Sequence, residues 1–422
     1  MKLYKFQEEI LKRVENKNKV AFYVDMGMGK TFLGSEKLIE LKTKTNLVIC
    51  QKSKIKDWIE HFSDVVKIHS DFIFDLTNKK DYKDFINNPE GIGFINYELA
   101  FRRKELLKLK DITLMLDESS MIQNDTAKRT KFVLKLNAKN VILLSGTPVS
   151  GKYENLYSQC KLLGWDISKK MYFNHYIITE NVELQNGIIF KKVVGYKNVD
   201  RLKRKLAEHG AIFMKSDEVN IDLPSVNDIT VNVNVTSEYK KFLKNKIVKI
   251  NDVELVGDTS LTQLLYLRQL CGQFNKDKLQ AFKDLIQSTN DRIIVFYNFT
   301  SELYAMKDIC IELNKPTSIV NGREKDLKCY DEFEDSITFI QYRAGSMGLN
   351  LQKANKTVYF SLPLSSELFE QSKARTRRIG QEKPCFYYYM ICKDSVEEKI
   401  LETLQMRKDY TDELFRKIFF CQ

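Results

Sequence analysis

The segment Asp25–Thr31, with the sequence DMGMGKT, has the residue types of a phosphate-binding loop and follows an apolar run, VAFYV. Glycines let backbone N–H groups turn inward around an anion, and a helix after the loop adds its positive N-terminal end. Lys30 would reach the β- and γ-phosphates of a nucleotide, and Thr31 would place its hydroxyl on magnesium. The general pattern G-x-x-x-x-G-K-[ST] is incomplete, because Val24 stands at its first glycine. The predicted nucleotide-binding residues of this loop are Gly27, Gly29, Lys30 and Thr31.

A second pair of reactive side chains lies in LMLDESS, Leu114–Ser120, where an apolar strand ends in two adjacent carboxylates. The carboxyl edge of a parallel sheet is where such residues meet a ligand. Asp117 would hold magnesium, mostly through water, and Glu118 would polarise the attacking water. An Asp-Glu pair after a strand is by itself more often a solvated loop. Its place downstream of a phosphate loop favours the catalytic interpretation.

Short apolar strands that alternate with helical patterns surround both segments, which indicates parallel βαβ sheets. Helices are predicted at residues 54–62 and 301–313 from apolar residues at helical spacing. The predicted strands are residues 19–24, 46–50, 92–96, 112–116 and 140–144 in the first half, and residues 292–297, 337–341, 357–360 and 385–391 in the second half.

The stretch between the two alternating regions has a different character. Residues 152–218 are rich in Tyr, Lys and Asn and contain an alternating piece, GIIFKKVVGY, that predicts a hairpin at residues 187–196. Residues 237–246 and 261–273 have helical patterns. We interpret these segments as small protrusions from two sheet domains.

The composition limits the class of protein. A chain of 422 residues suits two or three domains. The net charge of +12 suits a polyanionic partner but equally a lysine-rich solvated surface, so charge alone leaves both open. No apolar run reaches about 18 residues, so no membrane span is expected. The eight cysteines lack zinc-ligand spacing, so we expect no zinc. The sequence starts without an apolar leader, so we interpret these cysteines as reduced core residues of a cytoplasmic protein.

Further motifs in the first half resemble the ordered motif set of superfamily 2 helicases. LYKFQ, residues 3–7, resembles the adenine-reading Q motif, with Gln7 as the reader. VICQKSKIKDW, residues 48–58, resembles motif Ia, in which Lys52 and Ser53 would touch a nucleic-acid backbone. FINYELAFRR, residues 94–103, resembles the following INYE segment, with Asn96 as a further nucleic-acid residue. LLSGTPVSG, residues 143–151, resembles motif III.

The second half continues the series. RIIVFYNFTSEL, residues 292–303, resembles motif IV, and QYRAGSMGLNLQKANKTVYF, residues 341–360, resembles motif V. The resemblance implies that Arg343 and Gly345 of motif V contact nucleic acid. QSKARTRRIGQ, residues 371–381, resembles motif VI of the SWI/SNF branch. A guanidinium neutralises the charge that builds up in phosphoryl transfer. The predicted arginine finger is Arg378, with Arg375 beside it.

The resemblance to SWI/SNF-like helicases runs from residue 3 to about residue 400 and implies an α/β fold. Two RecA-like parallel-sheet lobes with small helical protrusions would bind ATP between them. Lobe one is expected at residues 1–223, with a protrusion at about 152–218. Lobe two is expected at residues 224–422, with a protrusion at about 237–275.

The implied activity is that of an ATP-dependent DNA translocase or helicase, a nucleic-acid-stimulated ATPase that uses ATP and magnesium. The implied partners are double-stranded DNA and other replication, repair or recombination proteins. SLPLSSELFEQ, residues 361–371, resembles compact bacteriophage and bacterial members, so the expected location is the cytoplasm of a bacterial or phage-infected cell. A superfamily 2 RNA helicase is one alternative. A non-hydrolysing DNA-binding recruitment protein with a relic ATP fold is another.

Overall fold

The computed structural model describes residues 3–183, 189–219, 223–250, 253–345, 349–378 and 380–415. Two compact units are present, one formed by described residues within 1–220 together with residues 408–415 and one within residues 221–407. Each contains a seven-stranded sheet among its described residues. The expected α/β class with two parallel-sheet lobes is therefore confirmed.

The sheet of the first unit is parallel at every strand pair, in the order β3-β4-β2-β5-β6-β1-β9. Its central strands are almost continuous runs of buried, mostly apolar residues, as expected where helices cover both faces. Parallel strands end at the same edge, so the segments that follow them are brought together. The strands of this unit are β1 Lys19–Val24, β2 Thr45–Cys50, β3 Ile73–Asp75, β4 Gly91–Asn96, β5 Ile112–Asp117, β6 Ala138–Ser145, β7 Ile177–Glu183, β8 Ile189–Tyr196 and β9 Ala211–Met214.

Helices pack on both faces of this sheet. The helices of the unit are α1 Lys5–Arg13, α2 Lys30–Glu40, α3 Ile55–Glu60, α4 Lys79–Asn87, α5 Tyr97–Ala100, α6 Lys128–Val133, α7 Tyr157–Leu162, α8 Lys169–Tyr176 and α9 Val199–Glu208. Helix α2 approaches β6 closely at Gly34, where a Cβ atom would lie 2.8 Å from Cδ1 of Leu144. Gly34 therefore allows α2, the helix that follows the phosphate loop, to lie close to the sheet.

The segment predicted as the first protrusion contains both peripheral and sheet residues. Strands β7 and β8 form an antiparallel hairpin whose side chains are mostly exposed. Part of the hairpin predicted at residues 187–196 lies outside the described residues, which resume at Ile189. Strand β9 returns to the sheet and pairs with β1 in parallel. Residues 211–214 of the segment therefore belong to the sheet.

The second unit has a sheet in the order β10-β18-β17-β13-β16-β14-β15, parallel except for the short pair β14–β15. Its strands are β10 Val226–Val233, β11 Ile247–Ile250, β12 Val253–Val256, β13 Ile293–Tyr297, β14 Thr317–Val320, β15 Lys325–Asp326, β16 Ile337–Gln341, β17 Lys356–Tyr359 and β18 Cys385–Cys392. Phe296, Tyr359 and Tyr389 stack across three neighbouring strands, with ring centroids 5.7 and 5.1 Å apart. The aromatic run CFYYYMI thus contributes to the core of this sheet.

The helices of the second unit and the last helix of the chain are α10 Ser237–Asn245, α11 Ser260–Cys271, α12 Lys276–Gln287, α13 Thr300–Glu312, α14 Lys328–Glu332, α15 Tyr342–Gly345, α16 Ser366–Lys373 and α17 Val396–Phe415. Helices α10 and α11 flank a small β11–β12 hairpin, and these three elements share a satellite core around Phe242 and Leu270. In the described part of the chain, no helix has the length and apolar character that crossing a membrane requires.

Candidate active site

The loop between β1 and α2 has the backbone of a tight anion-binding turn. Gly27 and Gly29 have φ angles of 84° and 74°, in the left-handed region that favours glycine. A Cβ atom at Gly29 would lie 2.4 Å from the side-chain nitrogen of Gln7. The dihedral angle therefore favours glycine at position 29, and a side chain there would also displace the amide of Gln7. Helix α2 begins at the next residue, so its N-terminal N–H groups face this loop.

Lys30 lies folded over the loop. Its Nζ is 3.2 Å from the carbonyl oxygen of Val24 and 3.3 Å from that of Asp25. A Cβ atom at Gly146, in the loop after β6, would lie 3.1 Å from the same Nζ. The ammonium group is thus held where the ends of β1 and β6 meet.

Gln7 connects helix α1 to this loop. Its Nε2 donates to the carbonyl oxygen of Met28 over 3.0 Å, and its Oε1 accepts from the backbone N–H of Tyr4. The side chain is buried. The residue predicted to read adenine therefore also fixes the phosphate loop to the N-terminal helix.

A further anchor of the loop is Asp25. Its carboxylate accepts from the backbone N–H of Ser216 at 3.0 Å and from the hydroxyl of Ser216 at 3.2 Å. Its own N–H donates to the carbonyl oxygen of Met214 at the end of β9. Ser216 had no predicted role in the sequence analysis.

Asp117 lies at the carboxyl end of β5, and the indole Nε1 of Trp58 donates to its Oδ2 over 2.8 Å. Burial raises the pKa of the Asp117 carboxyl, while the Trp58 hydrogen bond and the nearby ammonium groups of Lys30 and Lys54 act in the opposite direction. The phosphate loop follows β1 and Asp117 ends β5 at the same edge of the parallel sheet, so the charge of Lys30 acts on the Asp117 carboxylate.

Glu118 has a φ angle of 54°, which is unusual for a residue with a side chain. The hydroxyl of Tyr97 donates to the carbonyl oxygens of Asp117 and Glu118 at 2.9 and 3.3 Å. Tyr97 is buried at the start of α5, so it holds the turn from inside the core. Such local strain is often found at functional sites, where surrounding structure maintains it. Tyr97 was in a quoted motif but had no predicted role.

Gln159 on α7 connects three segments around this edge of the sheet. Its Oε1 accepts from the hydroxyls of Tyr23 on β1 and Ser119 after β5, at 2.9 and 2.8 Å. Its Nε2 donates to the carbonyl oxygen of Pro148, in the segment that resembles motif III, over 2.9 Å. Gln159 is fully buried, and no sequence signal identified it.

The residues predicted to touch nucleic acid in this unit differ in exposure. Lys52 and Ser53 are exposed on a short 3-10 turn that follows β2. Asn96 is buried at the end of β4, and its amide donates to Oε2 of Glu98 over 2.9 Å. The structure thus leaves Lys52 and Ser53 accessible, whereas Asn96 shapes the segment that follows β4.

In the second unit, the segments that resemble motifs V and VI contact each other. Nη1 of Arg378 bonds to the side-chain oxygen of Asn350 and lies 3.4 Å from the carbonyl oxygen of Leu349. Burial lowers the pKa of the Arg378 guanidinium. The backbone N–H of Leu351 donates to the carbonyl oxygen of Arg375 over 3.2 Å. Both predicted finger arginines therefore lie beside residues 349–351 of motif V.

Arg343 is exposed on the one-turn helix α15, which follows β16 and ends at Gly345. Gly348 of the same motif and Ile379 of the Arg-Ile-Gly-Gln sequence lie outside the described residues. Arg377, which lies between Arg375 and Arg378 in the chain, donates from Nε to the carbonyl oxygen of Pro224 over 3.0 Å.

The first unit has the donor groups that a magnesium nucleotide requires. The cradle at Gly29 and the N-terminus of α2 suit phosphate oxygens, and Lys30 adds a positive charge. The Thr31 hydroxyl and the Asp117 carboxylate are hard oxygen ligands of the type that Mg²⁺ prefers. The residue types at these positions therefore fit a nucleotide with its magnesium ion.

Comparison with known protein families gives two matches that together span most of the chain. Residues 10–277 match the SNF2-related domain, and residues 277–380 match the helicase conserved C-terminal domain. The chain belongs to the SNF2-related family.

Individual relatives are distant in sequence. The chain is 25% identical to the ISWI chromatin-remodeling complex ATPase ISW1 of Saccharomyces cerevisiae, over 93% of this chain and 39% of the relative. It is 23% identical to an uncharacterized ATP-dependent helicase of Mycoplasma pneumoniae, over 95% of this chain and 41% of the relative. The chain thus spans about two fifths of the length of these curated relatives. A solved SWI2/SNF2 ATPase core of Sulfolobus solfataricus, in complex with double-stranded DNA, is 20% identical with a TM-score of 0.45, covering 98% of this chain and 92% of that chain.

Proposed function

We propose that this chain is an ATP-driven motor that moves along duplex DNA. The observation that carries the proposal is the placement of the phosphate loop after β1 and of the Asp117–Glu118 pair at the end of β5, at the same carboxyl edge of one parallel sheet, in a member of the SNF2-related family. The relatives include a chromatin-remodeling ATPase and an ATP-dependent helicase by name. ATP is the substrate that fits the loop, and duplex DNA is the track that we propose.

Different residues of the first unit would have different roles in ATP hydrolysis. The loop N–H groups and Lys30 would hold and neutralise the phosphates. Thr31 and Asp117 would hold magnesium, which when bound supplies positive charge to the phosphate oxygens. Glu118 would orient the attacking water and accept its proton. Gln7, which already positions the loop through Met28, would contact the adenine edge with its amide.

The second unit would supply the remaining positive charge. Charge develops on the phosphoryl oxygens in the transition state, and a guanidinium stabilises it more than it stabilises the ground state. Arg378 is the proposed finger and Arg375 its neighbour. Since Arg378 is bonded to Asn350 in motif V, movement of motif V would also move the finger. This contact would give a physical route from the nucleic-acid segment to hydrolysis.

The proposed DNA contacts involve the backbone of the nucleic acid. Lys52 and Ser53 are exposed after β2, and Arg343 is exposed after β16. Lysine, arginine and hydroxyl groups are typical phosphate contacts and carry no base information. At Gly345 the backbone of motif V could approach a DNA phosphate closely, because no side chain intervenes. Asn96 would act from within the unit by holding the segment that follows β4. We expect the affinity for DNA to fall as the salt concentration rises and to depend little on base sequence.

An ATPase assay with and without nucleic acid tests this function. Linear duplex DNA should stimulate ATP hydrolysis, whereas duplex RNA of the same length should stimulate it much less. Stimulation by RNA alone would instead identify an RNA helicase. Binding of duplex DNA without hydrolysis would identify a non-hydrolysing recruitment protein. The motor is favoured over the recruitment protein, because the chain retains Lys30, Asp117, Glu118 and Arg378.

A further inference from the structure

A cavity of about 530 Å³ opens at the amino ends of β2, β5 and β6 in the first unit. Its walls come from the connection between α2 and β2 and from the residues that precede or begin the other strands. Because these strands are parallel, the cavity lies at the edge opposite to the candidate active site. Six residues at about 3.3 Å each place roughly 20 Å of sheet between the two edges.

Positive charge dominates the lining of this cavity. Four lysines and one aspartate line it, which leaves an excess of three positive charges. All five side chains are exposed, and in the ranges that the structure describes none of them forms an ion pair or a side-chain hydrogen bond. Like charges gathered at one site repel each other unless an anion joins them. The charged residues are Lys42, Lys44, Lys110, Lys139 and Asp111.

The floor of the cavity is polar and fixed. The amide of Asn140 donates to the hydroxyls of Thr43 and Thr113, at 2.7 and 3.0 Å, and the Thr113 hydroxyl donates to that of Thr43 at 2.7 Å. Asn140 and Thr113 are buried. This network attaches the loop that carries Lys42 and Lys44 to β5 and β6. The two lysines therefore project from a loop whose position is set before any ligand binds.

We propose that this cavity binds a small molecule with two or more linked phosphate groups. Ammonium groups pair well with phosphate oxygens as point charges, and a linked polyphosphate matches several of them at once. The volume lies in the range of small-molecule sites. The lysines line one concave site and do not follow an extended path, which favours a compact ligand over a nucleic-acid backbone.

Inorganic triphosphate is the probe, and titration calorimetry on the full chain is the measurement. The Lys30→Ala variant serves as the background, because the phosphate loop would bind the same probe. In that background, the K42Q/K110Q/K139Q variant is compared with K79Q/K80Q/K83Q on α4, which removes the same charge from exposed positions elsewhere in the unit. Thermal unfolding of each variant confirms that it is folded.

The Lys30→Ala protein should bind about one triphosphate, and the three cavity substitutions should weaken that binding at least about tenfold, since several modest charge pairs are lost together. The α4 substitutions should change it less than about twofold, and added salt should weaken it. Equal effects of the two triple variants, or no binding in the Lys30→Ala background, would overturn the proposal. Weaker binding of a short DNA duplex by the cavity variant, with triphosphate binding unchanged, would also overturn it. These readouts do not depend on ATP hydrolysis.

Discussion

The indole N–H of Trp58 donates a hydrogen bond to the Asp117 carboxylate over 2.8 Å, joining α3 to the end of β5. Trp58 belongs to the segment that resembles motif Ia, and Lys52 and Ser53 of that segment are the proposed DNA contacts. Asp117 is the proposed magnesium ligand. The contact therefore links the segment expected on DNA to the residue expected at the metal.

Trp58→Phe should raise the magnesium concentration that gives half-maximal ATPase activity by about tenfold. A hydrogen bond to a charged group contributes about 1.5 kcal/mol or more, and about 1.4 kcal/mol corresponds to a factor of ten in an equilibrium. Phenylalanine retains the ring that stacks on Phe62, so packing is largely kept. A magnesium titration of the DNA-stimulated rate is the measurement.

The matched control for this change is Trp165→Phe, at the second of the two tryptophans, which stacks on His209. It should leave the magnesium dependence unchanged. If both substitutions shift the titration equally, or if neither does, the Trp58–Asp117 hydrogen bond has no role in positioning the carboxylate.

Lys30→Ala and Glu118→Gln should fail at different steps. The alanine removes positive charge from the phosphates, so nucleotide affinity and turnover should both fall. The glutamine changes only the handling of the attacking water, so nucleotide binding should persist while turnover falls by about a hundredfold or more. A fluorescent ATP analogue and steady-state hydrolysis separate the two outcomes. Wild-type turnover in both variants would show that the site is assigned wrongly.

Arg378→Ala should slow hydrolysis by about a thousandfold or more if the residue acts as an arginine finger. Nucleotide affinity should change little, because the proposed binding groups lie mostly in the first unit. Asn350→Ala is the control, since it removes the side-chain partner of Arg378 and leaves the guanidinium in place. Equal losses in the two variants, measured without DNA so that movement of motif V plays no part, would indicate that Arg378 is a structural brace and would move the finger role to Arg375.

Gln159→Leu should destabilise the first unit by about 2 kcal/mol, because buried hydroxyls lose their acceptor and each unsatisfied group costs about 1–3 kcal/mol. The double variant with Tyr23→Phe should be less destabilised than the sum of the single changes, since Tyr23 donates to Gln159. Urea unfolding followed by tryptophan fluorescence reports on this unit, because Trp58 and Trp165 both lie in it. Strict additivity would contradict the proposed network.

The sequence predicted the strands that are buried on both faces. Strands β1 and β16 begin and end at the predicted residues, because their apolar runs favour a buried strand. The edge strand β10, with the sequence VNDITVNV, was not predicted, because most of its side chains are exposed and no apolar run marks it. Strand β9 has only four residues and was also missed. Its place beside β1 depends on tertiary pairing alone.

For the candidate site, residue types were easier to predict than supporting contacts. The loop glycines and the carboxylates at the end of β5 follow from local motifs. The contributions of Tyr97, Gln159 and Ser216 depend on hydrogen bonds between segments that are far apart in sequence, up to 191 residues for Asp25 and Ser216. No local pattern encodes such pairs. The positive φ angle of Glu118 is likewise maintained by its surroundings.

The most direct test of the motor is the displacement of a triplex-forming third strand from duplex DNA, which reports movement along the duplex. With ATP, the wild-type chain should displace the third strand, and Glu118→Gln should not. The rate should fall steeply as salt rises, because backbone contacts release counterions. A forked duplex in the same assay should remain mostly paired. Unwinding of the fork without displacement of the third strand would contradict the account and identify a strand-separating helicase.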